Sequence, residues 1–457
     1  MTNVTARKPT VAVIGGGYAG LAAAVTLAEA GVTCKVFEAG KTLGGRARRL
    51  HYRDEVIDNG QHILSGAYIE LLRLMALVGV PDSALRRIPL RLSIPPGFLL
   101  CAPRTKWLPG SLYLAWTLLT VKGLTVADKL AAIRFMRRLK RNRFQVDASK
   151  SVATLLTEQN QPQNLIDHLW QPLTISALNT PLDHASAQVF ANVLRDSLVS
   201  SRNASDLLLP CIDLTALFPE PAATWLTKRG GEVCAGVRVT QILATEGRYK
   251  VFFEDGSQVF DSLVLAVGPH QIEGLMPGVA APTLKFEPIV TIYFKFDRPI
   301  RMREPMVGQT HRLAQWFFDR SALGVPSSMN ATTCDARDGM IAAVISASGA
   351  HESLSQEVLS DRVFAELAQL IPNLPEPVWT KVITEKFATF SCTPLSDRPM
   401  MQTCYPGVFL AGDYVTGDYP ATLEGAVRSG IVLSRYYILL YERVSRELDW
   451  CEFNIVS

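Results

Sequence analysis

Metal-ligand spacing is missing from this chain. Its eight cysteines, Cys34, Cys101, Cys211, Cys234, Cys334, Cys392, Cys404 and Cys451, include no C-x-x-C pair, so neither a zinc site nor a disulfide framework is expected, and the cysteines read as reduced residues of a cytosolic core. Long apolar runs are missing too. The longest, Leu112 to Val121, is about half of the ~20 residues a membrane-spanning helix needs. A short polar stretch leads straight into Thr10 to Ile14 and then glycines, a buried strand entering a turn and not a signal peptide, so export is not expected. A net charge of +4 over 457 residues, with no basic block interleaved with aromatics, argues against a nucleic-acid partner. There is no internal repeat, no low-complexity segment, and no cluster that reads as a metal site, nucleophile or triad.

What is present is enough chain for two domains, each able to bury a large ligand. Apolar Val11 to Ile14, a glycine turn, an alanine-rich helical run from Leu21 to Ala30 and a second strand from Val32 to Glu38 form a βαβ unit. From about Pro81 to Pro210 long helical patterns prevail with few strand signals, including Val126 to Phe144 and Ser186 to Val199. Strands return at Val237 to Ile242, Tyr249 to Glu254 and Ser262 to Val267, separated by Glu246-Gly247 and by Asp255-Gly256, a strong hairpin signal. An antiparallel set is expected at Ile289 to Phe296, Leu313 to Phe318, Met340 to Ser346 and Val378 to Phe387, then a strand at Val408 to Leu410 and a last helix over Leu423 to Glu442. The fold class is α/β. A doubly wound, discontinuous cofactor domain is expected from residues 1–80, 205–284 and 388–457, and a mixed helical and antiparallel substrate domain from 81–204 and 285–387.

Chemistry enters at Gly15, Gly17 and Gly20, a G-x-G-x-x-G that includes Tyr18 and Ala19 and joins the first strand to the alanine-rich helix. Absent β-carbons allow the tight turn and let backbone N–H groups approach a pyrophosphate, and the helix N-terminus adds a favourable field. Glu38 ends the second strand, about 20 residues on, where a carboxylate accepts hydrogen bonds from ribose hydroxyls. The motif alone suits NAD or FAD. Leu43-Gly44-Gly45-Arg46-Ala47-Arg48 follows, offering close backbone approach and, in Arg46, a fork for phosphate.

From Glu38 through Gly44, Gly45 and Arg46 to Asp58-Asn59-Gly60-Gln61-His62, the chain resembles the second FAD-contact segment of the amine-oxidase and phytoene-desaturase superfamily. Leu410-Ala411-Gly412-Asp413-Tyr414, then Pro420 to Ala426 with Ser429-Gly430, resembles the flavin-binding end of its plant-type carotenoid-desaturase branch. The resemblance implies FAD, with Asp413 on the ribityl chain and the helix start at Leu423 and Glu424 facing the isoalloxazine, where backbone N–H groups would favour reduced flavin. It also implies that Val264 to Pro269 returns toward the cofactor, that Val239 supplies backbone to the adenine, and that Gly60, Gln61 and His62 lie near FAD; a core histidine bonded to backbone is an equal reading of His62.

Closer still, Asp58 to His62 with Gly66-Ala67-Tyr68, Leu178-Asn179-Thr180-Pro181 and Pro420 to Gly425 resemble the hydroxysqualene dehydroxylases, the squalene-associated FAD-dependent desaturases of bacterial hopanoid synthesis. That family implies a long apolar isoprenoid substrate, reductive loss of its hydroxyl and an external electron donor. Rival readings are a desaturase running hydride transfer the other way, an amine oxidase, disfavoured by Tyr419-Pro420-Ala421 at the amine-caging position, and a flavin-free prenyl-binding protein, disfavoured by the intact glycines, Glu38 and Asp413. Leu108 to Val121 beside Arg134, Arg137, Arg138, Lys140, Arg141 and Arg143 reads equally as a dock for an anionic bilayer or as a core helix next to a solvated one. The expected location is the cytoplasm, with peripheral contact on the inner face of a membrane under the first of these readings. No catalytic residue is identified; Asp183, His184, Arg195 and Arg202 read as caps or surface charges before catalysts.

Overall fold

A computed structural model describes residues 9–103, 110–279, 283–323 and 339–455, with side chains of the last helix described to Glu442. Five parallel strands run in the order Glu232–Ala235, Thr33–Glu38, Thr10–Ile14, Ser262–Leu265, Val408–Leu410. In chain order that is 3-2-1-4-5, so the order reverses between Thr10–Ile14 and Ser262–Leu265. A ligand crevice forms beyond the carboxyl ends of the strands at such a point. Alternation along the first strand sends Val11 and Val13 to one face and Ala12 and Ile14 to the other. The first face packs on the helices Tyr18–Glu29 and Leu423–Ile455, the second on the antiparallel strands Val239–Thr245, Arg248–Phe253 and Gly256–Phe260.

The two helices touch closely because Gly430 lacks a side chain: a Cβ there would stand 2.4 Å from the Ala19 carbonyl oxygen. Ser434 completes the contact by donating to the Ala23 carbonyl. The chain's far end is thereby clamped onto the helix that follows the glycine turn.

A second five-stranded sheet is antiparallel, in the order Met306–Gly308, Trp316–Asp319, Gly339–Ser346, Phe286–Phe296, Trp379–Phe390. Val290, Ile292, Phe294 and Phe296 pack with Leu359, Val363 and Leu367 of the helix Gln356–Leu370, while Tyr293 joins the large core on the opposite face.

The helical expectation for 81–210 needs correction. Strands occur at Leu85–Ile88, Arg91–Ile94, Phe98–Cys101 and Leu207–Pro210; each is four residues long, too short to register as a run against the helices around it. The longer helices are Gly110–Leu119, Val126–Arg141, Val152–Glu158, Gln171–Leu178 and Ala187–Leu194, with wide π turns at Ile166–Trp170 and Arg195–Val199. Among the cysteines described, only Cys34 and Cys392 are buried, whereas Cys101 and Cys404 are exposed, so a core role holds for part of the set. Cys334 and Cys451 fall outside the described side chains.

Candidate functional site

The glycine turn sits at the sheet's switch point. A Cβ on Gly20 would lie 2.0 Å from the Gly15 carbonyl oxygen, and one on Gly15 2.4 Å from the Ala266 oxygen; these two glycines let backbone meet backbone. Gly17 differs. Its nearest neighbour would be the Gly45 Cα at 3.8 Å, which leaves a cradle open toward solvent between two glycine segments. Gly44 N–H donates to the Gly16 carbonyl at 2.9 Å, aligning these segments side by side.

Glu38 accepts the Gly16 N–H on Oε2 at 2.8 Å and the Gly40 N–H on Oε1 at 2.7 Å. A carboxylate offers about four lone-pair sites, so capacity remains for ribose hydroxyls. The strand pairing of Glu38 with Ala235 and the Val237 N–H to Glu38 carbonyl bond bring the segment leading to Val239 alongside.

Beyond the cradle, Arg46 and Asp413 form an ion pair at 2.6 Å. The Arg46 fork, expected on phosphate, is instead engaged with Asp413 and with the Ala388 carbonyl at 2.7 Å, so it ties three chain segments together. Ser429 accepts the Gly412 N–H at 2.9 Å. Arg398, which nothing in the sequence singles out, donates to the carbonyls of Asp413, Tyr414, Val415, Gly417 and Tyr419. One guanidinium thus fixes the loop that leads into the last helix; its residue type alone carries no such signal because the acceptors are backbone.

At that helix start Thr422 caps by accepting the Gly425 N–H at 3.1 Å. The Glu424 side chain is fully buried and points away from the crevice, accepting from the Glu70 and Leu71 amides at 3.1 and 2.9 Å and pairing with Arg428 at 2.7 Å. It caps the helix Ile69–Leu77, so only the backbone of Leu423 and Glu424 can serve a cofactor. The Tyr18 side chain is likewise turned away: its hydroxyl donates to the Leu214 carbonyl at 2.8 Å and its ring lies 5.5 Å from Phe218, leaving backbone alone for the crevice. The Ala19 carbonyl is in contact with Gly430.

The Asp58 to His62 loop joins the site through Asn59, whose Nδ2 donates to the Arg46 carbonyl at 3.1 Å and to Glu385 at 3.0 Å. Asp58 is buried, accepts the Leu214 N–H and lies 3.6 Å from the equally buried Arg320; burial pushes its carboxyl up to about 6 against the pull of that guanidinium. Arg320 also donates to Gln61 at 3.0 Å and stands over the Tyr293 ring. His62 Nδ1 lies 2.8 Å from the Gly60 carbonyl, so that nitrogen carries the hydrogen, and burial lowers its pKa. A neutral ring with Nε2 as acceptor results.

Thr291 was missed by sequence reading. Its hydroxyl is buried without a partner, 3.7 Å from where a Gly60 Cβ would be, and Tyr414 Oη is likewise unpaired. Asp183 and His184 are exposed, Arg195 pairs with Asp196 at 2.7 Å, and the Arg202 side chain lies outside the described residues. Among the described residues no group of His, Cys, Asp and Glu could hold a metal.

The open cradle at Gly17, the spare acceptors of Glu38, the uncommitted amides at Leu423 and Glu424 and the two orphaned hydroxyls together fit a long dinucleotide ending in a polar ring system. Similarity agrees. Hydroxysqualene dehydroxylase of Rhodopseudomonas palustris is 28% identical over 438 residues, covering 92% of this chain and 96% of its own length. A 15-cis-phytoene desaturase of an Oncidium hybrid cultivar is 24% identical, covering 97% and 80%. The crystal structure of an oxidoreductase from Methanosarcina mazei has a TM-score of 0.72 at 16% identity, covering 93% of this chain and 100% of that one, which shows the fold. A family model described as flavin containing amine oxidoreductase matches residues 18–435, and the chain belongs to that family, an FAD-dependent oxidoreductase.

Proposed function

We propose that this enzyme reductively removes the hydroxyl of hydroxysqualene, giving squalene for hopanoid synthesis. The observation that carries this reading is the nearly full-length similarity to hydroxysqualene dehydroxylases, at 26–28% identity.

The reaction consumes a proton and a hydride: the allylic C–O bond breaks, the hydroxyl leaves as water with the proton, and the resulting delocalised cation takes the hydride. Bound FAD in its reduced form supplies that hydride, and an external electron donor restores it. The chain's part is to cradle the pyrophosphate at Gly15, Gly17, Gly20, Gly44 and Gly45, to hold the ribose at Glu38, and to align the ring end with Gly412, Asp413 and the amides of Leu423 and Glu424. Gly60, Gln61 and His62 would hold the ring end from the opposite segment, and Val239 would supply backbone to the adenine. A neutral His62 accepts hydrogen bonds and is unsuited to acid duty at neutral pH. The unpartnered Thr291 hydroxyl, beside Gly60, would add a polar contact at the ring end. Residues 1–80, 205–284 and 388–457 form the cofactor domain in this reading, and 81–204 with 285–387 the substrate domain. The enzyme works in the cytoplasm, in peripheral contact with the inner face of a membrane.

Enzyme reduced anaerobically with dithionite, freed of excess reductant and mixed with hydroxysqualene in heavy water should yield squalene in one turnover as oxidised flavin absorbance returns. Deuterium should appear at the former hydroxyl carbon. Bleaching of oxidised enzyme by a polyene, with hydroxysqualene left untouched by reduced enzyme, would establish the desaturase direction instead, a reading favoured by the similarity to phytoene desaturases.

A further inference from the structure

Where the segment Asp58 to Gln61 meets the antiparallel sheet, two buried polar atoms are left unused. Along the strand Phe286–Phe296, Val290, Ile292 and Phe294 share one face, and alternation puts Thr291 with Tyr293 on the other. Thr291 is 1% exposed, and its partners across the sheet are Val344 and Ile383, whose side chains offer a hydroxyl no acceptor. Its Oγ has no hydrogen-bond partner among the described residues.

Arg320 reaches the same face from the end of the strand Trp316–Asp319, which it follows directly. Asp319 fixes that turn by accepting the Met302 and Ala322 amides at 3.2 and 2.9 Å. The Arg320 side chain is 3% exposed, with Cζ 5.4 Å from the centroid of the Tyr293 ring. Its Nη1 donates to Gln61 at 3.0 Å and lies 3.6 Å from an Asp58 carboxylate oxygen. Its Nη2 has no hydrogen-bond partner among the described residues. The Tyr293 hydroxyl donates to the Asp58 carbonyl at 2.9 Å, and Gly60 stands against Thr291, so the segment is seated on this face along its length.

A buried guanidinium hydrogen and a buried hydroxyl are both costly to leave unpaired. Both therefore call for an oxygen that arrives with a ligand. Asp58 already balances the Arg320 charge, so a carboxylate or phosphate would bring an uncompensated negative charge into a buried site, whereas a neutral oxygen brings none. Nη2 only donates, while a threonine hydroxyl also accepts. An alcohol satisfies the two together, its oxygen taking the Nη2 hydrogen and its own hydrogen going to Thr291. Tyr293, which Arg320 covers, stands two residues from Thr291, roughly 7 Å along the strand, and one oxygen between two hydrogen bonds of about 2.8 Å spans most of such a gap.

We propose that Arg320 and Thr291 form the binding site for the hydroxyl oxygen of the substrate, a neutral alcohol on an otherwise apolar chain. The inference rests on the dehydroxylase reading above for the identity of that alcohol, and on the two unpartnered atoms for the site itself. A guanidinium keeps its hydrogens in a protein, so Arg320 binds and orients the oxygen and does not protonate it.

Hydroxysqualene and squalene differ at this oxygen, so equilibrium binding of the two tritium-labelled compounds to oxidised, flavin-loaded protein in detergent isolates the contact. Wild type should hold hydroxysqualene about tenfold or more tighter than squalene. Thr291→Val, which keeps the side chain's shape, should lower that ratio about fivefold, and Arg320→Met/Asp58→Asn, which leaves no lone buried charge, should bring it close to one. Squalene affinity, flavin content and melting temperature should stay as in wild type for Thr291→Val, which decides by itself if the double variant melts low. A wild type without preference, or a Thr291→Val protein that keeps the full preference, would mean that the two atoms meet a structural water only and would overturn the site. Preference that Thr291→Val lowers, in an enzyme whose reduced form leaves hydroxysqualene unconverted, would keep the oxygen site and remove the dehydroxylase reading. Conversion without preference would do the reverse.

Discussion

The crevice around the glycine turn and the helices between Gly110 and Leu194 are built on different physical constraints. In the crevice, backbone meets backbone: the Gly15 oxygen occupies the place of a Gly20 side chain, and the Ala47 oxygen that of a Gly44 side chain. Only glycine satisfies such contacts, so residue identity at each position is dictated. In the helical region, Phe135, Met136, Leu139, Trp170 and Phe190 fill a core whose demand is volume and apolarity. Many residues meet that demand, and identity is loosely set. A site that holds a polar cofactor therefore leaves a fingerprint, whereas a surface that shelters an apolar chain leaves a texture.

The largest expected effect separates two glycines within the fingerprint itself. Gly20→Ala forces a Cβ to within 2.0 Å of a backbone oxygen, and the protein should fail to fold or melt far below wild type. Gly17→Asp has 3.8 Å of room, so it should give a folded but colourless protein, its carboxylate standing where the pyrophosphate belongs. Calorimetry and flavin absorbance on the two purified variants read this directly. A yellow Gly17→Asp would dismantle the cradle assignment.

A middle-sized effect lies beside the crevice, at buried Asp58. Its folded pKa is raised from the usual carboxylate range to about 6, so the native state binds the proton more tightly than the unfolded chain, and stability is lost as pH rises through the window from about 4 to 6. Asp58→Asn lacks that slope. Relative to wild type it should gain up to roughly 3 kcal/mol between pH 4 and pH 7, two units at about 1.4 kcal/mol each. Parallel unfolding curves for the two proteins across this range would show that Arg320 compensates the buried charge completely.

The smallest effect tests the looser region. Thr125 caps the helix Val126–Arg141 in a reciprocal arrangement with Asp128, and Thr125→Ala should cost about 1 kcal/mol in urea titrations without altering flavin content. A loss of flavin would mean that the helical region is coupled to the crevice more tightly than its packing indicates.

The sequence by itself determined the α/β class, the βαβ opening, the cofactor family and the positions of the Gly15 to Gly20 turn, Glu38 and Asp413, because each follows from local backbone geometry or from a short motif. The tertiary structure alone decided what the charged and polar side chains near the crevice do. Arg46, readable as a phosphate fork, pairs with Asp413 367 residues away in the chain; Glu424 caps a helix 353 residues earlier; Arg398 gathers five carbonyls. Thr291 became notable only when its strand was seen to face Gly60. A side chain's partner is set by which distant segments the fold brings within about 3 Å, and no periodicity or spacing encodes that distance. Glycine is legible because its requirement is the absence of an atom at its own position, whereas an arginine's role is written in residues hundreds of positions away.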